Sequence, residues 1–387
     1  MTPDKSVEFW LSAQTGSFSA SGQKQLLPRG PVSTLAARAQ AFMNTLEDGP
    51  SVLVGAVPFD RNAADFIYQP VSTDNQPRLS SDGVTQATLS GACTITPAPS
   101  AQAYGAAVAR CLQLIAGTRG EPAELRKVVL SRTLELAAAH DIDPEWLFGH
   151  LGHDRSITAF MTPLPSNATG APPMLIGATP ELLVSRIGRT VVSHPLAGSS
   201  RRHADSALDR QSAQWLERSD KNRREHMEVV DAVTEALAPF CDDVSTPEGT
   251  TLRPTATMWH LGTRIVGTLK DPETPVGELV NALHPTPAVC GMPRERAAQV
   301  IHDLEGYDRG FYAGTVGWMN ASGDGEWYVA LRCAEVHGAK ARLFAGAGIV
   351  EGSEPAAEID ETSGKLLAIL GALGIDENGH LLREQAA

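Results

Sequence analysis

The stretch Arg342-Leu-Phe-Ala-Gly-Ala-Gly-Ile-Val-Glu-Gly-Ser-Glu-Pro355 begins as an apolar strand and leads into a helix that closes the chain. Ser353 stands where an N-cap is expected, and a proline suits the first helical turn that follows. Bare glycine backbone beside a helix N-terminus can bind an anion through its N–H groups. A dinucleotide site is disfavoured, because a G-x-G-x-x-G fingerprint starting at Gly346 would need glycine where Glu351 stands. The stretch therefore predicts a strand–helix junction able to bind an anion.

The predicted closing helix carries two carboxylates and an ammonium on one face, at Glu358, Glu361 and Lys365. Taken alone, this spacing is typical of a solvated face with an i,i+4 ion pair. The same face continues through Thr362 and Ile369, however, which is unusual for a face in contact with water. Buried carboxylates need a metal ion or a basic partner.

A second helix, predicted from about Ser219 to Phe240, places Glu225 on its apolar stripe, four residues before Val229. Together with Glu358 and Glu361 this residue could form an all-oxygen site, and hard oxygen ligands favour Mg²⁺ over zinc. The neighbouring His226 is interpreted as a core histidine, because the stretch lacks the first histidine of an H-x-x-E-H zinc motif.

Outside these segments the chain shows many short strands and tight turns with a few long helices. Strands are predicted at residues 51–58, 127–136, 174–178, 182–187, 190–195, 257–261, 311–320, 326–336 and 342–350. Helices are predicted at residues 101–115, 219–240 and 355–373, with another that begins at Pro275. This pattern predicts an α/β (α+β) protein with largely antiparallel sheets, since the regular strand–helix alternation of a Rossmann fold or barrel is missing.

Composition limits the classes of function. The chain has 387 residues, 42% of them hydrophobic, and a net charge of −13, which disfavours nucleic acid and anionic membranes as partners but allows a small anionic substrate. Its five cysteines form no C-x-x-C pair and no zinc spacing, and are expected to be buried thiols. The N-terminus lacks an apolar signal-peptide core. We expect a cytoplasmic protein.

Three further charged residues stand out. Lys127 begins a β-branched strand, where it is either an edge charge or a half-buried amine. Glu181 is placed at the tip between two predicted strands, the usual position of a turn charge. Arg332 alternates with Ala330 and Ala334 on one predicted strand face, and these small neighbours leave room for a guanidinium to bind a carboxylate through two hydrogen bonds.

Taken together, the motifs of this chain resemble those of the chorismate-utilising enzymes, and among them the isochorismate synthases of catecholate siderophore pathways. The matching stretches cover residues from about Leu125 to Leu370 in the family's order. They are Lys127-Val-Val-Leu-Ser-Arg132, Gly177-Ala-Thr-Pro-Glu-Leu-Leu183, His194-Pro-Leu-Ala-Gly-Ser199, Asn222-Arg-Arg-Glu-His226, His260-Leu261, Leu283-His-Pro-Thr-Pro-Ala-Val-Cys-Gly291, Gly310-Phe-Tyr-Ala-Gly-Thr-Val-Gly-Trp318, Ala330-Leu-Arg-Cys-Ala-Glu335, Ala345-Gly-Ala-Gly-Ile-Val350 and Glu358-Ile-Asp-Glu361.

The resemblance implies one large domain with antiparallel sheets and helices around a central cleft. Residues 1–100 would be the weakly matched N-terminal part of this fold, and residues 101–387 the chorismate-binding catalytic region. The implied partner is the small molecule chorismate, with no nucleic acid, no membrane and no glutamine amidotransferase subunit. A monomer is expected.

The resemblance also implies a role for each site residue. Lys127 would deprotonate the water that attacks C2 of the chorismate ring, and Glu181 would protonate the departing C4 hydroxyl. The implied cofactor is Mg²⁺, held by Glu225, Glu358 and Glu361. The remaining implied contacts are to the substrate, from Gly198, His260, Ala288, Leu331, Arg332, Gly346, Gly348 and Lys365.

Two positions favour one branch of the family. Relatives that add ammonia usually carry glutamine in place of Lys127, and aminodeoxychorismate synthases have a nucleophilic lysine where this chain has Ala197. Salicylate synthases share the lysine and glutamate, so pyruvate elimination to salicylate stays an alternative. A menaquinone-pathway enzyme and a catalytically inactive paralogue that binds chorismate also remain alternatives.

Overall fold

In the computed structural model of the protein, the described residues are 8–14, 16–46, 48–75, 89, 93–166 and 170–382. They form twenty strands, which are β1 (Glu8–Ala13), β2 (Gly16–Leu26), β3 (Val52–Val57), β4 (Phe66–Asp74), β5 (Thr94–Ala98), β6 (Lys127–Ala137), β7 (Thr158–Pro163), β8 (Met174–Thr179), β9 (Leu182–Ile187), β10 (Thr190–His194), β11 (Leu196–Arg201), β12 (Cys241–Ser245), β13 (Thr250–Pro254), β14 (Met258–Thr263), β15 (Ile265–Leu269), β16 (Gly291–Met292), β17 (Thr315–Asn320), β18 (Gly325–Val329), β19 (Cys333–His337) and β20 (Lys340–Val350).

Eight α-helices lie between these strands in the described ranges. They are α1 (Leu35–Met43), α2 (Ala101–Gly117), α3 (Pro144–Leu151), α4 (Ser206–Arg218), α5 (Asp220–Leu237), α6 (Val276–Leu283), α7 (Arg294–Glu305) and α8 (Pro355–Ala372). Each of the predicted helices is present, and α5 begins where Ser219 caps it by accepting a hydrogen bond from the Asn222 amide. The sequence did not predict α1, α3, α4 or α7.

Among the described residues the strands pair in the antiparallel sense, in agreement with the predicted largely antiparallel sheets. In one half of a large sheet, β5 and β16 both pair with one edge of β6, and β20 pairs with the other edge. From β20 the pairing continues through β19, β8 and β7. The β1–β2 hairpin joins this half through β4 to the other half, which runs through β3, β17, β18, β9, β10, β15 and β12. Strands β11, β14 and β13 form a separate three-stranded sheet. The fold is therefore a mixed α/β architecture built on antiparallel strands.

The apolar core is continuous across the two halves of the large sheet. Its largest part contains Phe160 and Phe344 from one half, Val184 and Trp327 from the other, and the inner faces of α1, α5 and α6. A second part lies under α3 and α8, and a third lies between β6 and the helices α2 and α7. All five cysteines are buried free thiols, as predicted. None of the helices in the described ranges has the length and apolar character that a membrane crossing requires.

Two local predictions were wrong. The strand predicted for residues 326–336 is two strands, β18 and β19, because the chain turns between them and Arg332 takes a positive φ of 45°. Arg332 therefore does not alternate with Ala330 and Ala334 on one strand face, as the sequence pattern predicts. Ser353 is also not the N-cap of α8, since that position belongs to Glu354 and the Ser353 hydroxyl instead accepts a hydrogen bond from the Val350 amide at 3.2 Å.

Candidate active site

A pocket opens between the β6–β20 strand pair, strand β11, and the helices α5 and α8. Its lining comes from distant parts of the chain, and the lining residues are Val129, Pro180, Glu181, Leu196, Ala197, Gly198, Ser199, Glu225, His260, Ala288, Val289, Tyr312, Ala313, Leu331, Arg332, Phe344, Ala345, Gly346, Gly348, Glu361 and Lys365. Of the site residues expected from the sequence, all but Lys127 and Glu358 are in this lining. Those two are buried and form ion pairs with residues of α5.

Lys127, at the first position of β6, is buried with 1% of its surface exposed, so the interpretation as an edge charge was wrong. Its Nζ lies 2.9 Å from Oε1 of Glu225 on α5. The pair fits here because Gly348 on β20 has no side chain. A Cβ at that position would lie 2.5 Å from Glu225 Oε1 and 3.1 Å from Lys127 Cε. The glycine therefore provides the space in which the base candidate meets the carboxylate.

Glu181, between β8 and β9, is not a solvated turn charge, since only 2% of its surface is exposed. Its Oε1 has no hydrogen-bond partner within the described part of the chain. Burial raises the pKa of Glu181 to about 8, although the positive charges of Lys127 and Lys365 oppose the increase. The side chain is thus largely a protonated acid at neutral pH.

Lys365 and Glu361 on α8 form an ion pair of 2.8 Å at the pocket wall. The Lys365 ammonium also donates to the Gly346 carbonyl at 2.8 Å, and the Ser199 hydroxyl donates to Glu361 Oε1 at 2.8 Å. Burial acts to raise the pKa of Glu361, but Lys365 and Ser199 outweigh it and hold that pKa below its usual value. Glu361 is therefore ionised.

Glu358, one turn earlier on α8, is 3% exposed and lies 3.4 Å from Nζ of Lys221. Burial raises the pKa of Glu358, and the negative charges of Glu361 and Glu225 add to the increase. Glu358 is thus near enough to Glu361 and Glu225 for their negative charges to affect it. In this arrangement each faces a lysine, and the described residues contain no group of three or more His, Cys, Asp or Glu side chains close enough to hold a metal ion.

Arg332 is buried in the turn between β18 and β19, and its guanidinium contacts Nε2 of His260 on β14. Burial, with the charges of Arg332 and Lys365, holds the pKa of His260 well below its usual range, so the ring is neutral and accepts the hydrogen bond. Burial also lowers the pKa of Arg332 to about 10, which leaves it charged at neutral pH. Among the described residues no carboxylate lies within ion-pair distance of Arg332. A buried cation without a counter-ion suits an anionic ligand.

Several residues of the site were not assigned a role from the sequence. Arg132 on β6 donates from Nε to the Thr362 hydroxyl at 2.9 Å and from NH2 to the Ser363 hydroxyl at 2.6 Å. It thereby fixes α8 against β6 beside Glu361. Tyr312 and Phe344 stack with ring centroids 4.7 Å apart and form an apolar wall of the pocket. An arginine inside a β-branched strand was the available signal for Arg132.

His226 lies in the core, as interpreted from the sequence. It is 0% exposed, and its Nε2 lies 2.7 Å from the Thr263 hydroxyl. This contact joins α5 to β14 directly beside Glu225.

A sequence model of the family described as chorismate binding enzyme matches residues 41–374 of this chain. The match spans most of the chain and includes every residue of the pocket. The chain belongs to the chorismate-binding enzyme family. The pocket is accordingly the candidate active site of a chorismate-binding enzyme.

Individual members of the chorismate-binding enzyme family are similar over almost the whole chain. Isochorismate synthase DhbC of Bacillus subtilis (strain 168) is 42% identical over 364 residues, which are 92% of this chain and 88% of the relative. The vibriobactin-specific isochorismate synthase of Vibrio cholerae is 37% identical over 355 residues, 90% of this chain and 86% of the relative. A crystal structure described as a putative 2,3-dihydroxybenzoate-specific isochorismate synthase, DhbC, from Bacillus anthracis superposes with a TM-score of 0.89 at 37% identity, covering 96% of this chain and 97% of that one.

Proposed function

We propose that this enzyme is an isochorismate synthase, which converts chorismate to isochorismate by adding water at C2 and releasing the C4 hydroxyl. The observation that carries the proposal is that a buried, largely protonated acid and a buried amine lie close to the same pocket. Glu181 lines the pocket, and Lys127 contacts the lining residue Glu225. The names of the similar relatives support the same reaction. No redox cofactor is needed, because the product is an isomer of the substrate.

Lys127 is proposed as the general base that takes a proton from the attacking water. In the described arrangement its Nζ lies 2.9 Å from Oε1 of Glu225. A general base takes up a proton, so Lys127 would act in this step as the neutral amine. The water oxygen then forms its bond to C2 as its proton passes to Nζ.

Glu181 is proposed as the general acid. As the water oxygen bonds to C2, the C1–C2 double bond moves to C1–C6 and the C5–C6 double bond moves to C4–C5, which breaks the C4–O bond. The hydroxyl oxygen leaves with the electron pair of that bond, takes the carboxylic proton of Glu181 and departs as water. A raised pKa of about 8 keeps that proton available at neutral pH. One water enters and one leaves, and proton exchange with solvent restores both side chains.

The substrate's two carboxylates require cations and hydrogen-bond donors. Arg332 would bind the enolpyruvyl carboxylate, while its NH2 group donates a hydrogen bond to Nε2 of His260. Lys365 and the backbone near Gly198, Gly346 and Gly348 would face the ligand, and Ala288 and Leu331 would contact it. Gly198 has a φ of +75°, and a Cβ there would lie 3.1 Å from Asn222 Cβ, so a larger residue at this position would be strained and would crowd α5.

The donor chemistry of three glutamates suits a magnesium ion, although in the described structure each contacts a lysine and the three are too far apart to hold one ion together without moving. Glu225, Glu358 and Glu361 offer only oxygen donors, which suit Mg²⁺. Burial is the main cause of the raised pKa of Glu358, and the negative charges of Glu361 and Glu225 add to it, an addition that a cation would offset. These three side chains would hold the ion. When bound, Mg²⁺ would supply positive charge for the substrate's ring carboxylate.

The relatives named for vibriobactin and 2,3-dihydroxybenzoate favour a place in catecholate siderophore biosynthesis. We propose that the protein acts as a cytoplasmic monomer, without an amidotransferase subunit.

The test is turnover of chorismate by the purified protein with magnesium, with products separated by chromatography. Isochorismate as the product is the expected result, and it should disappear in excess chelator while the circular dichroism spectrum is unchanged. Salicylate would indicate pyruvate elimination, anthranilate would indicate amination, and no product would indicate an inactive paralogue. Full turnover in chelator would exclude the metal role.

A further inference from the structure

Strand β6 carries Lys127, and one of its two edges is interrupted. Along its whole length β6 pairs with β20, from Lys127↔Val350 to Ala137↔Lys340. On the other edge it pairs with β16 at its first two residues and with β5 from Thr133 onward. Between those strands the Val129 amide reaches the Cys290 carbonyl at 2.8 Å. From the Val129 carbonyl to the Ser131 amide, the described residues provide no neighbouring strand.

A buried ion pair occupies this gap. Arg309 donates from NH2 to the Val129 carbonyl at 2.6 Å, and Oε1 of Glu305 accepts from the Ser131 amide at 2.6 Å and the Ser131 hydroxyl at 2.7 Å. Arg309 and Glu305 bind each other in a fork, with distances of 2.5 Å and 2.8 Å, and their side chains are 2% and 1% exposed. The pair thus supplies one acceptor and one donor to the strand edge, as a neighbouring strand would.

The same guanidinium also reaches the segment that lies next to β6. Arg309 NH1 donates to the Val289 carbonyl at 2.9 Å. Val129 and Val289 both line the pocket; Val129 is two residues after Lys127 on β6, and Val289 follows Ala288 in the loop between α6 and β16. One side chain therefore bonds to two neighbouring segments that line the site.

We propose that Arg309 and Glu305 are positioning residues, which keep the strand carrying Lys127 in register with the loop carrying Ala288. The inference rests on the proposed function of Lys127 as base. A buried ion pair contributes little net stability, because desolvation offsets its attraction. The pair's contribution is instead geometric, because its directional hydrogen bonds fix the edge of β6. A displacement of the base by about 1 Å can lower the rate about 10²-fold.

The first test compares Arg309→Lys with a matched control, Arg186→Lys. Arg186 also forms an ion pair with a carboxylate, Asp324 at 2.6 Å, and donates to the Ser322 carbonyl at 2.6 Å, but neither it nor its partners line the pocket. We expect Arg309→Lys to lower kcat at least about 10-fold with the KM for chorismate changed less than about threefold. Arg186→Lys should lower Tm and leave kcat within about twofold. Equal kcat values for the two variants would overturn the proposal.

A second variant tests the proposal in case Arg309→Lys does not fold. The double variant Glu305→Gln, Arg309→Met removes both charges together, so no unpaired charge is left in the core. It should retain a cooperative thermal transition and show the same loss of kcat. A folded double variant with wild-type kcat would show that the pair is merely structural.

Hydrogen exchange separates this inference from the proposed function. By mass spectrometry, a peptide spanning residues 127–132 should lose amide protection in Arg309→Lys and keep it in Arg186→Lys. Unchanged protection would contradict the inference whatever the enzyme makes. If the wild-type protein forms no isochorismate, the proposed function fails, while this exchange result still reports whether the pair holds the strand.

Discussion

Lys127 Nζ lies 2.9 Å from Glu225 Oε1, in a pair whose lysine is 1% exposed. The two residues have different proposed tasks, since one is the base and the other would hold the metal ion. Their contact means that a substitution at one residue removes a partner of the other. For substitutions at either residue, both the binding affinities and the reaction rates should therefore be compared with those of the wild type.

Lys127→Gln should bind chorismate with near-normal affinity, because the substrate's carboxylates are held elsewhere, by Arg332 and Lys365. Its kcat should fall by at least about 10²-fold, the scale of general-base loss. Calorimetry with saturating magnesium, beside steady-state rates, measures both quantities. The matched control is Lys340→Gln, at the exposed far end of β20, which should change neither. Lost affinity with intact kcat would make Lys127 a binding residue.

Glu181→Gln should also lower kcat by about 10²-fold, since an amide cannot protonate the leaving hydroxyl. In the wild type, kcat should fall as pH rises through about 8, where Glu181 loses its proton. A pH–rate profile for both proteins is the measurement. An unchanged kcat in the variant would place the acid elsewhere.

The same residue predicts a pH dependence of stability that needs no substrate. The folded-state pKa of Glu181 is raised from 4.5 to about 8, so the folded protein binds more protons than the unfolded chain between these values. Its contribution to the free energy of unfolding is fully present below about pH 4.5 and is lost as pH rises from there through about 8, on the order of 5 kcal/mol in all. From pH 5 to pH 9, the Tm of the wild type should therefore decrease relative to the Tm of Glu181→Gln. Parallel Tm curves would contradict the raised pKa.

Glu361→Gln should keep α8 intact, because the helix propensities of the two residues are similar. It should weaken magnesium binding, measured by calorimetry with chorismate present, and lose the metal-supported turnover. Glu354→Gln, at the exposed start of the same helix, is the control and should retain both. Wild-type magnesium affinity in Glu361→Gln would make this glutamate a structural partner of Lys365 only.

Arg332→Lys should raise the KM for chorismate and lower kcat/KM by about 1–3 kcal/mol, because an ammonium cannot reproduce the two parallel hydrogen bonds of a guanidinium. Steady-state kinetics measure the change. Its Tm should be compared as well, since Arg332 has a positive φ of 45° that a lysine must also adopt. Unchanged kinetics would place Arg332 outside the substrate site.

The sequence by itself determined the elements whose pattern is local. Strand β9 has the predicted bounds, and α5 and α8 place Glu225, Glu358 and Glu361 on the helices expected from their spacing. Period-two and period-3.6 patterns depend on neighbouring residues, so they can be read without knowing the fold. The order of motifs along the chain likewise indicates the family, because each motif is a local stretch of sequence.

Only the tertiary structure decided the state of the individual groups. Glu181 looks like a turn charge until packing buries it and raises its pKa, and Arg332 looked like a strand residue until a turn placed it against His260. The Glu305–Arg309 pair gains its importance from a gap in the edge of β6, which no spacing along the chain reveals. Burial and ion pairing depend on which distant segments come together, and that information lies in the packing of the whole chain rather than in any local stretch of it.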